Sequence, residues 1–247
     1  ANLGLGAILA TGLAAKQGLP AGAAIAAALA VCTLVGVVNG FLVAGIQINP
    51  FIATLGMSTI LSGATLWYAN GSIISEGVPQ VLIDAGQNTF LGLPLPVWYL
   101  IVIAAVAWYV TEFTPLGRYL FAVGGSFEAA RLSGLNVRGL TILTFTLSGL
   151  LAGLAGVLQG AELGSGNPTV GPSFLLPAFA AAFLGATTLK VGSFNVPGTL
   201  IAVFFLAFGV NGLELNGVAA YIEPIFNGAA LIIGVSFVRL LRREAIS

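Results

Sequence analysis

Residues Ala21–Ile46, AGAAIAAALAVCTLVGVVNGFLVAGI, hold no charged side chain and outrun the roughly 20 residues a helix needs to cross a bilayer. In lipid the backbone polar groups of such a run can pair only with one another, which makes it a helix. Gly36 and Gly40 form a Gly-xxx-Gly pair within it, and small residues at that spacing let a second helix come close. An interior position is expected for this segment, with Asn39 as a polar group at membrane depth.

The rest of the chain carries the same signature. It is 58% hydrophobic and 6% charged, with a mean hydropathy of +1.05. Soluble domains carry about 25% charged residues to keep their surfaces wet. The apolar runs are of helix-spanning length, unlike the short alternating segments of a membrane β-barrel. The expected fold class is all-α: one polytopic helical transmembrane domain over residues 1–247, with about eight membrane segments and the lipid bilayer as solvent. Histidine is absent, which removes the usual general base and the commonest metal ligand. The single cysteine, Cys32, lies inside an apolar run and reads as a small packing residue. Zero net charge leaves no electrostatic footprint for nucleic acid.

Before Ala21, the run Leu3–Ala15 is short for a span, which suggests a half-helix or a chain with upstream segments. After Ile46, Asn49-Pro50 breaks the chain and a third segment runs from Phe51 to Ala69. Its Thr54, Ser58, Ser62 and Thr65 fall on one helical face. Those hydroxyls either bond their own backbone in a packed helix or face a transported solute. Asn70–Pro94 reads as a loop with Glu76 and Asp84 and no basic residue. A fourth segment, Leu95–Val110, follows. A fifth, Leu140–Leu158, presents Gly149, Gly153 and Gly156 for close packing; Gln159 and Glu162 follow it, and Gly164–Pro172 is a further loop. The last three segments are Ser173–Leu184, Thr199–Val210 (closed by Asn211-Gly212) and Ala219–Leu240.

Charge sets the sidedness. Cytoplasmic flanks are enriched in Lys and Arg. The clusters Arg118/Arg131/Arg138 and Arg239/Arg242/Arg243 are separated by four expected crossings, so both fall inside, the C-terminal one included. The loop Asn70–Pro94 then falls outside, Lys190 inside, and Lys16 alone on the wrong side. A faint inverted echo, Pro20 to Val38-Asn39-Gly40 against Pro197 to Val210-Asn211-Gly212, has unequal spacing and carries no weight.

Between the fourth and fifth segments stands the polar stretch Gly124-Gly125-Ser126-Phe127-Glu128-Ala129-Ala130-Arg131-Leu132-Ser133-Gly134-Leu135-Asn136-Val137. Ser126 can cap a helix over Phe127–Ser133, with Glu128 in its positive first turn and Gly134 as the left-handed residue that ends it. Phe127, Ala130, Arg131 and Gly134 share one face, suited to docking a partner or to lying on the membrane surface.

This stretch resembles the cytoplasmic signature of the membrane permeases of sugar-type ABC importers, those for ribose, xylose, arabinose and galactose. Phe51-Ile52-Ala53-Thr54-Leu55-Gly56 with Gly63, Pro96-Val97-Trp98, Leu116-Gly117-Arg118-Tyr119 and Leu184-Gly185-Ala186-Thr187-Thr188-Leu189 match as well, so the resemblance runs from residue 3 to residue 240. It implies a bacterial inner-membrane permease paired with a second copy or close paralogue, a cytoplasmic ATPase that binds ATP and Mg, and an extracytoplasmic sugar-binding protein. It places an ATPase-coupling element at Phe127, Glu128, Ala129, Arg131, Leu132 and Gly134, within a cytoplasmic loop at about residues 114–138. About ten spans are expected in the family, so further N-terminal spans are expected beyond those read here. Asn2-Leu3-Gly4-Leu5-Gly6 departs from the family's acidic Asp-Leu-Ser-Val-Gly run and is given no role.

Three function classes remain to be weighed. A conduit driven by a partner ATPase fits the lack of any Gly-xxxx-Gly-Lys-Ser/Thr phosphate loop, so no cofactor is expected in this chain. An ion-coupled transporter would keep ionisable groups at bilayer depth, whereas Glu76, Asp84, Glu112, Glu162, Glu214 and Glu223 fall near segment ends. An embedded enzyme would need converging catalytic groups, which no segment supplies. For the translocation path the candidates are Asn39, Phe51, Thr54, Ser58 and Asn211, chosen as neutral polar or aromatic groups for a sugar. Nucleoside and branched-chain amino-acid permeases share this architecture and remain alternatives.

Overall fold

A computed structural model describes residues 1–190, 192–217 and 221–244, with the side chains of 238–244 left out. The expected start of the last segment at Ala219 and the side chains of Arg239, Arg242 and Arg243 lie outside the described residues. In chain order the elements are α1 (Asn2–Gln17), α2 (Ala21–Ala44), α3 (Pro50–Ala69), α4 (Gln80–Gln87), β1 (Thr89–Phe90), β2 (Leu93–Pro94) and α5 (Leu95–Phe113). There follow α6 (Pro115–Gly125), α7 (Phe127–Leu132), α8 (Val137–Leu163), α9 (Val170–Ser173), α10 (Leu175–Gly185), α11 (Val196–Leu215) and α12 (Ile222–Glu244). Each of the eight expected segments is a helix. Five of them, α2, α3, α5, α8 and α11, are long and apolar enough to cross a membrane as described, and Val170–Gly185 and Ile222–Phe237 are shorter apolar stretches. The protein is a polytopic helical membrane protein.

Five boundaries differ from expectation. The loop Asn70–Pro94 contains α4 and the antiparallel pair β1–β2, because Leu82 and Gly86 of α4 are buried, and the helix packs against α8. The fourth segment runs on to Phe113, and the fifth continues through Gln159 and Glu162 to Leu163, ending at Gly164 with φ +60°. The short helix α9 lies at the end of the expected loop Gly164–Pro172. The Asn211-Gly212 pair does not end its helix, since α11 closes only after Leu215.

The chain forms two compact units, Ala1–Val102 with Thr114–Pro172, and Ile103–Phe113 with Ser173–Ser247. The first is built on a seam between α2 and α8. The buried residues of α2 are Ala24, Ala28, Cys32, Gly36 and Gly40, every fourth position and every one small. Opposite them α8 buries Gly149 and Gly153, while its Gly156 and Gly160 are buried against Leu3, Ala7 and Thr11 of α1. A methyl group on Gly149 would lie 2.6 Å from the carbonyl oxygen of Cys32 and 2.9 Å from Cα of Gly36, so the two backbones touch. Lipid supplies no hydrophobic drive between apolar helices; close van der Waals packing of small residues replaces it. Next to the seam α1 is buried along much of its length, with Ile8, Ala10 and Thr11 wholly inaccessible. Asn2 ties the three helices together: its amide nitrogen donates to the carbonyls of Gly149 at 3.0 Å and Cys32 at 3.2 Å.

One end of this unit gathers the residues following α1, α3 and α8. Gln87 donates to the Glu162 carbonyl at 2.8 Å, and Ile74 and Gly166 exchange backbone hydrogen bonds. Lys16 donates to the Tyr68 carbonyl at 3.1 Å and stands 5.4 Å from that ring's centroid, which accommodates the cation on a side that charge alone disfavours. In the second unit, α10, α11 and α12 pack around Ala180, Ala181, Ala202 and Leu206, and Lys190 forms an ion pair with Glu112. The sequence reading puts both ends of that pair on one side of the membrane.

The same substitution should therefore act with opposite sign at two glycines. Gly149→Ala pushes the seam apart and should cost about 1–3 kcal/mol. Gly63→Ala, with open space around it on α3, should be neutral or stabilising by about 0.5–1 kcal/mol through helix propensity. Thermal unfolding midpoints of the two purified variants in detergent check the contrast.

Candidate functional site: the α6–α7–α8 corner

The polar stretch folds as its sequence directs. The chain leaves α5 at Thr114, whose backbone is extended, and Pro115 opens α6 in the first-turn position where its missing N–H costs nothing. At Ser126 the backbone is extended again, and the hydroxyl oxygen accepts from the Ala129 N–H at 3.3 Å, capping α7. Glu128 lies in the first turn of α7 and Arg131 in the last, each at the favourable end of the helix dipole. Gly134 follows with φ +79°, a conformation that side chains resist. The Asn136 amide oxygen then accepts from the Gly139 N–H at 3.0 Å and caps α8.

Burial divides α7 into two faces. Ala130 is 4% exposed and seats the helix on the unit. Phe127 and Arg131, which the sequence reading puts on a docking face, are both exposed and line a groove with the end of α2. Leu132 is 85% exposed and, with Glu128 and Ala129, forms the outward surface. Phe127 is half-exposed at 51% and borders both faces.

The groove has a volume of about 370 Å³. The end of α2 contributes Val43 and Ala44, followed by Gln47, whose φ of +64° is unusual for a residue other than glycine. Leu135, Asn136, Val137, Arg138 and Thr141 complete it from the start of α8. Sequence periodicity shows neither this partnership with α2 nor Arg138 as a neighbour of Arg131, because the two segments are joined only in space.

The path candidates lie on three elements, α2, α3 and α11. Asn39 is half-buried on α2, and its amide oxygen is buried without a hydrogen-bond partner. Thr54 donates to the Pro50 carbonyl at 2.8 Å and Thr65 to the Ser62 carbonyl at 3.0 Å, so both hydroxyls bond their own helix. Ser58 is half-buried, and Phe51 at the start of α3 is exposed. Asn211 lies in the second unit, on α11, and is exposed within it.

The family described as "Branched-chain amino acid transport system / permease component" matches residues 1–235. The chain belongs to this permease family. The ribose import permease protein of Escherichia coli is 41% identical over 215 residues, covering 86% of this chain and 67% of that one. The corresponding Haemophilus influenzae protein is 36% identical over 242 residues, covering 95% and 75%. The autoinducer 2 import system permease protein of Photorhabdus luminescens is 32% identical over 239 residues, covering 95% and 72%. No solved structure matches the chain. As a permease of this family the chain is a transport subunit whose apolar helices span the membrane.

The two faces of α7 should differ in chemical access. Leu132→Cys should react with a water-soluble maleimide at least about tenfold faster than Ala130→Cys, following the exposure of each position. The native Cys32 is buried and serves as an unreactive background. In hydrogen exchange, Ser126→Ala should lower protection of the Phe127–Leu132 amides by about 1 kcal/mol through loss of the cap.

Proposed function

We propose that the chain is the membrane-spanning subunit of an ATP-driven importer that carries a monosaccharide into the bacterial cytoplasm. The observation that supports this most is the exposed end of α7. Leu132, 85% exposed, stands beside Glu128 and Ala129 on a capped helix that Ala130 anchors to the transport unit. An isolated exposed leucine on a soluble-side helix is ordinary, but one sharing a short helix with an acid and followed by a left-handed glycine turn is suited to seating in a partner's groove. Phe127, Arg131 and Gly134 complete the coupling element in this reading. No phosphate loop stands in the sequence, so the energy of transport must arrive through protein contact.

The partners in this reading are a cytoplasmic ATPase, which binds ATP and Mg, a second permease copy and an extracytoplasmic sugar-binding protein. Closure of the ATPase dimer would move α7 and switch the permease between inward- and outward-open states. The α7 corner and the C-terminal end of α12 would both be cytoplasmic. Similarity to ribose permeases favours a sugar over branched-chain amino acids, and the lack of ionisable groups in mid-segment disfavours ion coupling. Asn39, with its unpartnered buried amide oxygen, is the leading candidate for a polar group on the path, alongside Phe51, Thr54, Ser58 and Asn211.

The test is reconstitution with an ATPase and binding protein into vesicles. Sugar-loaded binding protein should stimulate ATP hydrolysis and sugar uptake together. Reversing the charges with Glu128→Arg and Arg131→Glu should reduce uptake by at least about tenfold, the effect of losing a charged contact at an interface. Unchanged uptake in the double variant would remove the coupling role from α7.

A further inference from the structure

The groove under α7 holds charge of a single sign. Arg131 from α7 and Arg138 from the first turn of α8 both line it, and no Asp or Glu does. Neither guanidinium has an ion-pair or hydrogen-bond partner among the described residues. Other polar groups nearby are already engaged: the Thr141 hydroxyl donates to the Val137 carbonyl at 2.9 Å, and the Asn136 amide oxygen caps α8. The Gln47 side chain is uncommitted, on a backbone held at φ +64°. Non-glycine residues kept in that region gather at ligand clamps.

Arginine cannot discard its proton at any working pH, so two unpaired guanidiniums in one concavity are relieved by an anion. The oxygens of a phosphate group match the guanidinium fork, and the N-terminal end of α8 adds partial positive charge. Val43 and Val137 offer an apolar wall beside these donors, where the carbon portion of an ester can rest. The volume of about 370 Å³ lies at the small end of ligand pockets, roughly 300–1,000 Å³.

We propose that this groove binds a phosphate group, its oxygens held by Arg131 and Arg138 with Gln47 as a third donor. The group is carried either by an anionic membrane lipid or by a soluble phosphate ester. Because the three residues come from α7, α8 and the end of α2, an occupied groove ties the α7 helix to both helices of the seam. Ligand occupancy then controls how readily α7 moves. The site needs no ATPase, so it stands or falls separately from the coupling reading, although Arg131 serves in both.

The experiment uses the full-length permease chain carrying Val43→Cys, which places a thiol in the groove wall. Maleimide labelling is timed in neutral detergent alone, with inorganic phosphate, with phosphatidylglycerol and with a phosphate-free neutral glycolipid. Labelling should slow by about fivefold at a ligand concentration of about four times Kd. Slowing by inorganic phosphate assigns the site to a soluble ester, and slowing by phosphatidylglycerol alone assigns it to a lipid headgroup. Either effect should vanish with Arg138→Gln and survive in part with Arg138→Lys, which keeps charge without the fork. Labelling of Leu132→Cys, outside the groove, reports whether the Arg138 variants are folded and should not change. Three results overturn the proposal: no slowing by either phosphate source, slowing that survives Arg138→Gln, or equal slowing by the glycolipid. An acidic protein segment as the true occupant would give the first of these.

Discussion

The first unit depends on one contact, the approach of the α2 and α8 backbones along a seam of glycine and alanine. Lipid is as apolar as a leucine side chain, so two membrane helices gain little by burying large apolar groups against each other. They gain by coming close, and only small residues allow it. Every buried residue of α2 is small, and the facing glycines of α8 leave no room for a methyl group at Gly149. The large residues point elsewhere: Leu34 and Phe41 of α2 are exposed, as membrane-facing side chains are.

This seam also places the corner proposed to meet a partner. The helices α2 and α8 run antiparallel, so the end of α2 and the start of α8 lie together, with α7 between α6 and α8. The buried Ala130 fixes α7 over that junction. A helix of only six residues would not persist alone, because nucleation is costly and few hydrogen bonds repay it. Its caps at Ser126 and Gly134 and its seat on the unit make it rigid enough to receive force. Glu128 and Leu132 stay exposed in that seating, while Phe127 and Arg131 border the groove.

Polar side chains inside the helical bundle are treated in two ways. Where a backbone carbonyl is at hand they bond it, as Thr11, Thr33 and Thr65 do within their own helices and Asn2 does across two others. Two of the four hydroxyls in the α3 stripe, Thr54 and Thr65, are thus satisfied within their own helix. Asn39 makes no such bond, and its buried amide oxygen is unpaired, as are the Asn2 amide oxygen and the Tyr68 hydroxyl. Burying such a group without a partner costs free energy, which marks it as a residue kept for a reason other than packing.

The sequence by itself determined the solvent, the eight apolar helical segments and the local shape of the α7 corner. These are properties of composition, apolar run length and capping residues, which act over a few neighbouring positions. Ser126, Asn136 and Gly134 took the cap and turn roles their chemistry dictates, and Gly36, Gly40, Gly149 and Gly153 the close-packed ones. Tertiary structure decided the rest. Helix α4 exists because Leu82 and Gly86 meet α8, a contact between segments about 75 residues apart that no local pattern encodes. Which face of α7 turns outward was set by where Ala130 could be buried. The pairing of Arg131 with Arg138 and Gln47 around one groove was set by the crossing of α2 and α8. Local chemistry chooses the conformation of a segment, while the shape of its neighbours chooses which of its faces is left for a partner.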